Sequence, residues 1–133
     1  MALLAACAVP QAALATKPCL PPPCETATGG VDAARCSERA DWIATGTIVR
    51  VVHHEEGPPL LKDFAEFTFV VAGVTKGHVT PGQSIRFHVG WCDNARTLPA
   101  DTSGRFRFYG FALPADASLP NRFLDFERAP ATP

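Results

Sequence analysis

The chain has 133 residues, with 12 lysines and arginines against 13 acidic residues, so its formal net charge is −1. This length fits one domain with a single hydrophobic core, and the balanced charge argues against nucleic acid or an acidic membrane surface as partner. The 13 prolines and 10 glycines predict many turns, as in all-β domains.

The N-terminal segment has the features of an export signal. Residues 1–15 carry no charge, and Ala13-Leu14-Ala15 has the small residues of a cleavage site. The apolar stretch is too short to span a bilayer, so no transmembrane span is expected. We interpret 1–15 as a signal peptide that directs the protein to the periplasm or out of the cell. Two alternatives remain: a lipobox ending at Cys7, which would anchor a lipoprotein in the envelope, and an ordinary buried N-terminus.

If the protein is exported, the four remaining cysteines are expected to form two disulfides, because an even number of cysteines in an oxidising compartment is usually paired. The four are Cys19, Cys24, Cys36 and Cys92. The prolines between Cys19 and Cys24 favour a polyproline helix, which rises about 3.1 Å per residue. The Cα atoms of these two cysteines would then be roughly 15 Å apart, too far for a disulfide. We favour Cys19–Cys92 with Cys24–Cys36 over the exchanged pairing. Free thiols are an alternative, and a metal site is disfavoured because no matching His/Cys pair follows.

The pattern along the chain predicts β-strands after one short helix. Strand 84–91 alternates most clearly, with Ile85, Phe87, Val89 and Trp91 on one face and Arg86 and His88 on the other. Gly46 marks a bend or bulge in the first strand. The predicted elements are an extended lead over 16–30, a helix over 31–40, strands over 42–53, 64–74, 84–91, 105–113 and 122–126, and a disordered tail over 129–133. Five strands favour an OB-type Greek-key barrel over 31–128, with a β-sandwich as runner-up.

Several motifs resemble the netrin-like domains, whose OB-type fold is shared with tissue inhibitors of metalloproteinases. Residues 40–49 (ADWIATGTIV) resemble the opening strand of that family, and 67–71 with 74–77 resemble its second strand and lysine–glycine turn. A third strand closing on Cys92 and an aromatic fourth strand ending at 110–113 follow in the same order. The resemblance spans roughly residues 19–113 and is closest to the bacterial type, which implies a binding module of unspecified ligand.

The same comparison shows where the chain departs from the inhibitors. Their mature N-terminal cysteine binds the zinc of the protease, whereas cleavage after Ala15 leaves three residues ahead of Cys19. The Cys-x-Cys start of the family is replaced by Cys19-x4-Cys24, and no cysteine follows Cys92. Metalloprotease inhibition is therefore disfavoured, and no residue of this chain is assigned an inhibitory role.

Four consecutive residues with potential metal-ligand side chains lie at the end of the first predicted strand. They are His53, His54, Glu55 and Glu56, which are weak candidates for a metal site. Adjacent strand residues point to opposite faces, so the two histidines do not readily chelate one ion. A third ligand, such as His78 or His88, would be needed. We favour a solvated loop entrance, with no metal and no cofactor.

Nothing in the sequence supports catalysis. No serine or cysteine has a histidine placed beside it in a known motif, and Asp93 and Asp101 lack an acid–base partner. The basic and aromatic run 104–111 alternates as core and surface, which argues against single-stranded nucleic acid. We therefore expect no enzyme.

The sequence-based hypothesis is an exported, non-enzymatic netrin-like interaction module. Its partner would be an unidentified protein or envelope ligand, contacted through the loops 54–63 and 93–104, because loops on a rigid scaffold carry recognition. The alternatives are an exported metal-binding protein that uses the His53 patch and a lipid-anchored envelope protein.

Overall fold

A computed structural model describes residues 22–54, 64–89, 96–115 and 120–130. The predicted signal peptide, Cys7, Cys19, Cys92 and Asp93 lie outside these residues, as do Glu55 and Glu56. Within the described ranges, no helix is both long enough and apolar enough to cross a membrane.

The described residues form five strands and one short helix, which confirms the predicted all-β class. The elements are α1 (Ala33–Arg39), β1 (Trp42–His54), β2 (Phe64–Lys76), β3 (Ser84–Val89), β4 (Arg105–Gly110) and β5 (Phe123–Arg128). Strand β4 ends three residues earlier than predicted, because the next backbone groups bond to side chains. The Phe111 carbonyl accepts from the Trp42 indole at 2.8 Å, and the Ala112 N–H donates to the Asp41 carboxylate at 2.7 Å.

All neighbouring strands are antiparallel, in the order β3-β2-β1-β4-β5. The two ends of this order meet at one point, a parallel bridge between Phe87 in β3 and Asn121 just before β5. The Asn121 N–H donates to the Arg86 carbonyl at 2.7 Å, and its carbonyl accepts from the His88 N–H at 3.1 Å. No longer ladder joins β3 to β5 in the described chain, so the closed OB-type barrel stays a prediction.

Strand β1 has two neighbours over its first half and is buried on both faces there. Trp42 and Ala44 belong to the main core, while Ile43 packs in a second cluster with the helix. The β1–β2 register shifts at three places, one of them at Gly46. The shift at Gly46 confirms the bend or bulge predicted there.

The main core is an aromatic cluster contributed by β2, β3, β4 and β5. Phe108 lies at its centre, stacked on Phe87 with ring centroids 5.2 Å apart and on Phe126 at 5.1 Å. The alternation predicted for β3 and β4 is confirmed by burial of Ile85, Phe87, Val89, Phe106 and Phe108, with Arg86 and Arg105 exposed. Ring pairs in such tilted and stacked arrangements add to the area they bury.

The predicted extended lead is wrong over its described end, because residues 22–31 turn back on themselves. The Thr26 N–H donates to the Gly30 carbonyl at 2.8 Å, and Glu25 bridges Val31. We call this segment the 22–31 turn. The helix then begins later than predicted: Asp32 is its N-cap, accepting from the Arg35 N–H at 3.1 Å, the role that a short acidic side chain performs at a helix start.

Gly46 is a position where the sheet tolerates no side chain. A Cβ there would overlap the Val70 backbone carbonyl on β2. We expect Gly46→Ala to lower the free energy of unfolding by about 2 kcal/mol, as other overpacking changes do. The matched control is Gly73→Ala, whose Cβ would meet only the Thr45 hydroxyl at 3.3 Å. Urea unfolding measures both, and equal midpoints for the two variants would contradict this account of Gly46.

Candidate functional site

The predicted Cys24–Cys36 disulfide is present and fastens the 22–31 turn to α1. The two Cα atoms are 5.5 Å apart, and both residues are fully buried. The Asp32 N–H also donates to the Cys24 carbonyl at 2.8 Å. The turn is therefore fixed by one covalent bond and by backbone hydrogen bonds. The other predicted pair, Cys19–Cys92, lies outside the described residues.

Asp125 on β5 is the one charged residue that is fully buried among those described. Its carboxylate receives the Arg96 Nε–H at 2.8 Å and the Phe126 N–H at 2.8 Å. Arg96 also donates from Nη1 to the Gly29 carbonyl at 2.8 Å. One guanidinium thus joins β5 to the 22–31 turn. Buried charges persist in proteins when they are paired and hydrogen-bonded in this way.

The Arg96–Asp125 pair was not predicted from the sequence. Asp125 stands alone as an acid within the run Phe123-Leu124-Asp125-Phe126, and an isolated acid among apolar strand residues is a signal of a buried partner. The identity of that partner could not be read from the sequence, because Arg96 lies 29 positions away in a loop.

The described residues gather three potential metal-binding atoms within 4.8 Å at one place: Cys24, Cys36 and Asp125. The two sulfurs are bonded to each other, and thiolates rather than disulfide sulfurs bind metals. The Asp125 carboxylate is in turn occupied by the Arg96 cation. With the disulfide formed, this cluster therefore has a structural role, since it fixes the 22–31 turn to α1 and to β5.

The structure separates the histidines of the metal hypothesis. His53 is paired with Ala65 near the end of β1, whereas His78 lines a hollow beside Trp42, where β1 begins. His88 lies in one cross-strand row with Glu66 and Val52, and members of such a row share a face of the sheet. Since Val52 and His53 are adjacent in the strand, His53 and His88 are on opposite faces.

The end of the loop 93–104 is described from residue 96 onward, and we call this part the 96–104 loop. Arg96 anchors its beginning on Asp125, and Leu98 packs against the main core. At the other end, Arg128 donates to the carbonyls of Asp101 at 2.5 Å and Ser103 at 2.7 Å. The loop is therefore held at both ends and in its middle.

Asp101, a residue considered for acid–base chemistry, has a structural contact in this loop. Its carboxylate accepts from the Ser103 hydroxyl at 2.6 Å and from the Ser103 N–H at 2.9 Å. The hydrogen bonds from Ser103 hold the pKa of Asp101 below its ordinary value. Both bonds close a local turn and stabilise the ionised form.

A hollow of about 280 Å³ opens on the outward face of β1, β2 and β3. We call it the arginine hollow; its lining residues are Arg50, Val52, Glu66, Phe67, Thr68 and Arg86. The Arg86 guanidinium lies 3.7 Å from the Glu66 carboxylate. Arg86 lies on the exposed face, as predicted, whereas Arg50 was not predicted to line a site.

A second hollow, of about 260 Å³, lies where β1 begins and is mainly apolar. Asp41 and His78 stand at its edge, with Val79 and Leu113 among its walls. Two of its polar groups form hydrogen bonds within the fold, since Asp41 accepts from the Ala112 N–H and the Trp42 indole donates to the Phe111 carbonyl.

Tyr109 provides a test of packing in the second cluster. Burial, followed by the 2.6 Å hydrogen bond from its hydroxyl to Glu127, raises the pKa of Tyr109 to about 12. In the unfolded chain a phenol ionises near pH 10. The folded state thus retains a proton that the unfolded state loses, so this contribution to stability is complete below pH 10 and is lost between about pH 10 and 12.

We expect Tyr109→Phe to flatten the decline in stability between pH 10 and 12. The chain has a single tyrosine, so the ultraviolet absorbance of tyrosinate reports this group alone. The folded wild type should titrate about two pH units above the urea-unfolded chain. Coincident titration curves would contradict the buried, hydrogen-bonded placement of the hydroxyl.

Comparison of the chain with protein-family models, with curated proteins and with solved structures finds no match. The resemblance to netrin-like domains therefore rests on the sequence motifs alone.

Proposed function

We propose that the protein is an exported, non-enzymatic binding module of the netrin-like, OB-type class, which contacts a protein ligand outside the cytosol. A β-rich fold and the Cys24–Cys36 disulfide are compatible with this assignment, because structural disulfides persist in oxidising compartments. Further support comes from the strand order and the single parallel contact between β3 and Asn121, which are features expected of an OB-type barrel.

The observation that carries the proposal is the double anchoring of the 96–104 loop. Arg96 fixes one end to a buried carboxylate, and Arg128 binds two carbonyls at the other. Between the anchors, the side chains of Thr97, Pro99 and Ala100 are exposed. A loop ordered before binding loses less conformational entropy when a partner engages it, and recognition loops on rigid scaffolds have this character.

The test places a photo-crosslinking amino acid at Ala100, in the protein exported by the cells that produce it. The matched control carries the same amino acid at Ala34, which is exposed on α1. We expect irradiation to give one discrete adduct of higher mass from the Ala100 variant and none from the Ala34 variant. Adducts of equal yield from both positions, or from neither, would contradict recognition by this loop.

Export itself is tested by the intact mass of the same material. Cleavage after Ala15 predicts Thr16 as the first residue. A mass that corresponds to acylated Cys7 would assign the protein to the lipid-anchored class instead.

A further inference from the structure

Arg50 has an unusual backbone conformation for its residue type. Its φ angle is 53°, and within the described ranges it is the one non-glycine residue with a positive φ. It occupies the register shift between Val49 and Val51, where β1 bulges against β2. Bulges re-aim a side chain, and a non-glycine residue held in the left-handed region is a feature that clusters at ligand sites.

The guanidinium of Arg50 has no hydrogen bond or ion pair with another described residue, so no contact within the described ranges explains this strained conformation. Its side chain is exposed and lines the arginine hollow. Cationic side chains on a sheet surface are ordinary, but they do not need a bulge to reach solvent. At this bulge, Arg50 lines the same hollow as the charged residues of the neighbouring strands.

Those charged groups lie on the two neighbouring strands. Thr68 pairs with Val49 on one side and with Arg86 on the other, and Glu66 pairs with Val52. The hollow therefore has two arginines and one glutamate, with Glu66 held by Arg86 at 3.7 Å. The formal charge of its described lining residues is positive, although the whole chain has a net charge of −1. The half-exposed Val52 adds an apolar wall.

We propose that the arginine hollow binds the oxyanion of a small organic ligand, a carboxylate or a phosphate ester, with Arg50 as its main contact. The planar guanidinium fork matches the two oxygens of either group. The Thr68 hydroxyl is a further donor beside it, and a short alkyl portion of the ligand fits against Val52. This site is built on β1, β2 and β3, so it does not depend on the 96–104 loop.

The test is a titration of the folded protein with butyrate and with butyl phosphate at constant ionic strength, followed by amide chemical shifts. We expect saturable shifts centred on residues 49–52, 66–68 and 86 with at least one probe. The probe that binds more tightly identifies the oxyanion. Absence of saturable shifts with both probes would overturn the proposal, whatever the crosslinking result at Ala100.

Three variants distinguish a binding site from a structural feature. Arg50→Gln should weaken binding about tenfold, while Arg35→Gln, an exposed arginine on α1, should leave it unchanged. Glu66→Gln removes the negative charge that competes for Arg86 and should tighten binding about threefold. Unchanged affinity in the Arg50 variant, or weaker binding in the Glu66 variant, would contradict the assignment.

A fourth variant separates folding from binding. Arg50→Gly fits the left-handed conformation without a Cβ, so we expect it to unfold at the wild-type temperature or above while binding is lost. Loss of the folded state in Arg50→Gly would mean that the arginine is there for stability, which contradicts a role as ligand contact.

Discussion

Replacing Arg96 by alanine is expected to lower the free energy of unfolding by about 3–5 kcal/mol, the cost of leaving a buried charge without its partner. The Asp125 carboxylate is fully buried, and Arg96 donates to it at 2.8 Å. The substitution also removes the hydrogen bond to the Gly29 carbonyl, so the 22–31 turn should loosen as well. Urea unfolding at neutral pH measures the difference.

The control for this prediction is Arg35→Ala, which removes an exposed arginine from α1 and should change stability by less than about 0.5 kcal/mol. A second variant isolates the ion pair. Arg96→Met combined with Asp125→Leu replaces both charges by apolar groups, and it should be less destabilised than Arg96→Ala. If Arg96→Ala were as stable as the control, the pair would not be the anchor described here.

Removing the disulfide by Cys24→Ala with Cys36→Ala should cost about 3 kcal/mol, since cross-linking a loop of this size restricts the unfolded chain by that amount. The two cysteines are separated by 12 positions, and both are fully buried. Thermal unfolding with and without dithiothreitol measures the effect. The reductant should destabilise the wild type by at least as much as the double substitution does.

The same experiment also tests the second predicted disulfide, Cys19–Cys92. If Cys19 and Cys92 are also paired, dithiothreitol should still lower the unfolding temperature of the Cys24→Ala, Cys36→Ala variant. A wild type that is insensitive to dithiothreitol while the double variant is destabilised would contradict a stabilising role for the Cys24–Cys36 bond.

The sequence predicted the strands well, because the alternation of apolar and polar residues within each strand shows which face is buried. Alternation of Ile85, Phe87 and Val89 with polar residues defines a strand with one buried face without reference to its neighbours. The bend at Gly46 was predicted for a similar local reason, since a glycine inside a strand marks a bulge or a close backbone approach. The short reach of a disulfide argued against a Cys19–Cys24 pair, and Cys24–Cys36 belonged to the favoured of the two pairings that remained.

The elements that sequence reasoning missed depend on contacts between distant residues. The 22–31 turn is held by Arg96 and by the disulfide. Neither contact is visible in the local sequence, where the prolines alone predict an extended lead. The capture of Arg96 by Asp125 joins a loop to the last strand, and no periodic pattern reports such a pair. Arg50 lies in a run of β-branched residues that predicts a regular strand, whereas the structure has a bulge there.

The central claim is that Cys24 and Cys36 are bonded to each other in the native protein. The measurement is tryptic peptide mapping of the protein purified from the producing cells and alkylated without reduction. Trypsin cleaves after Arg35 and Arg39 but not between Cys19 and Cys24, so a Cys24–Cys36 disulfide predicts that the peptide 36–39 is found linked to the preceding peptide. Fragmentation of that peptide between Cys19 and Cys24 should then place the link on Cys24. Recovery of 36–39 as a free peptide with an alkylated Cys36 would contradict it.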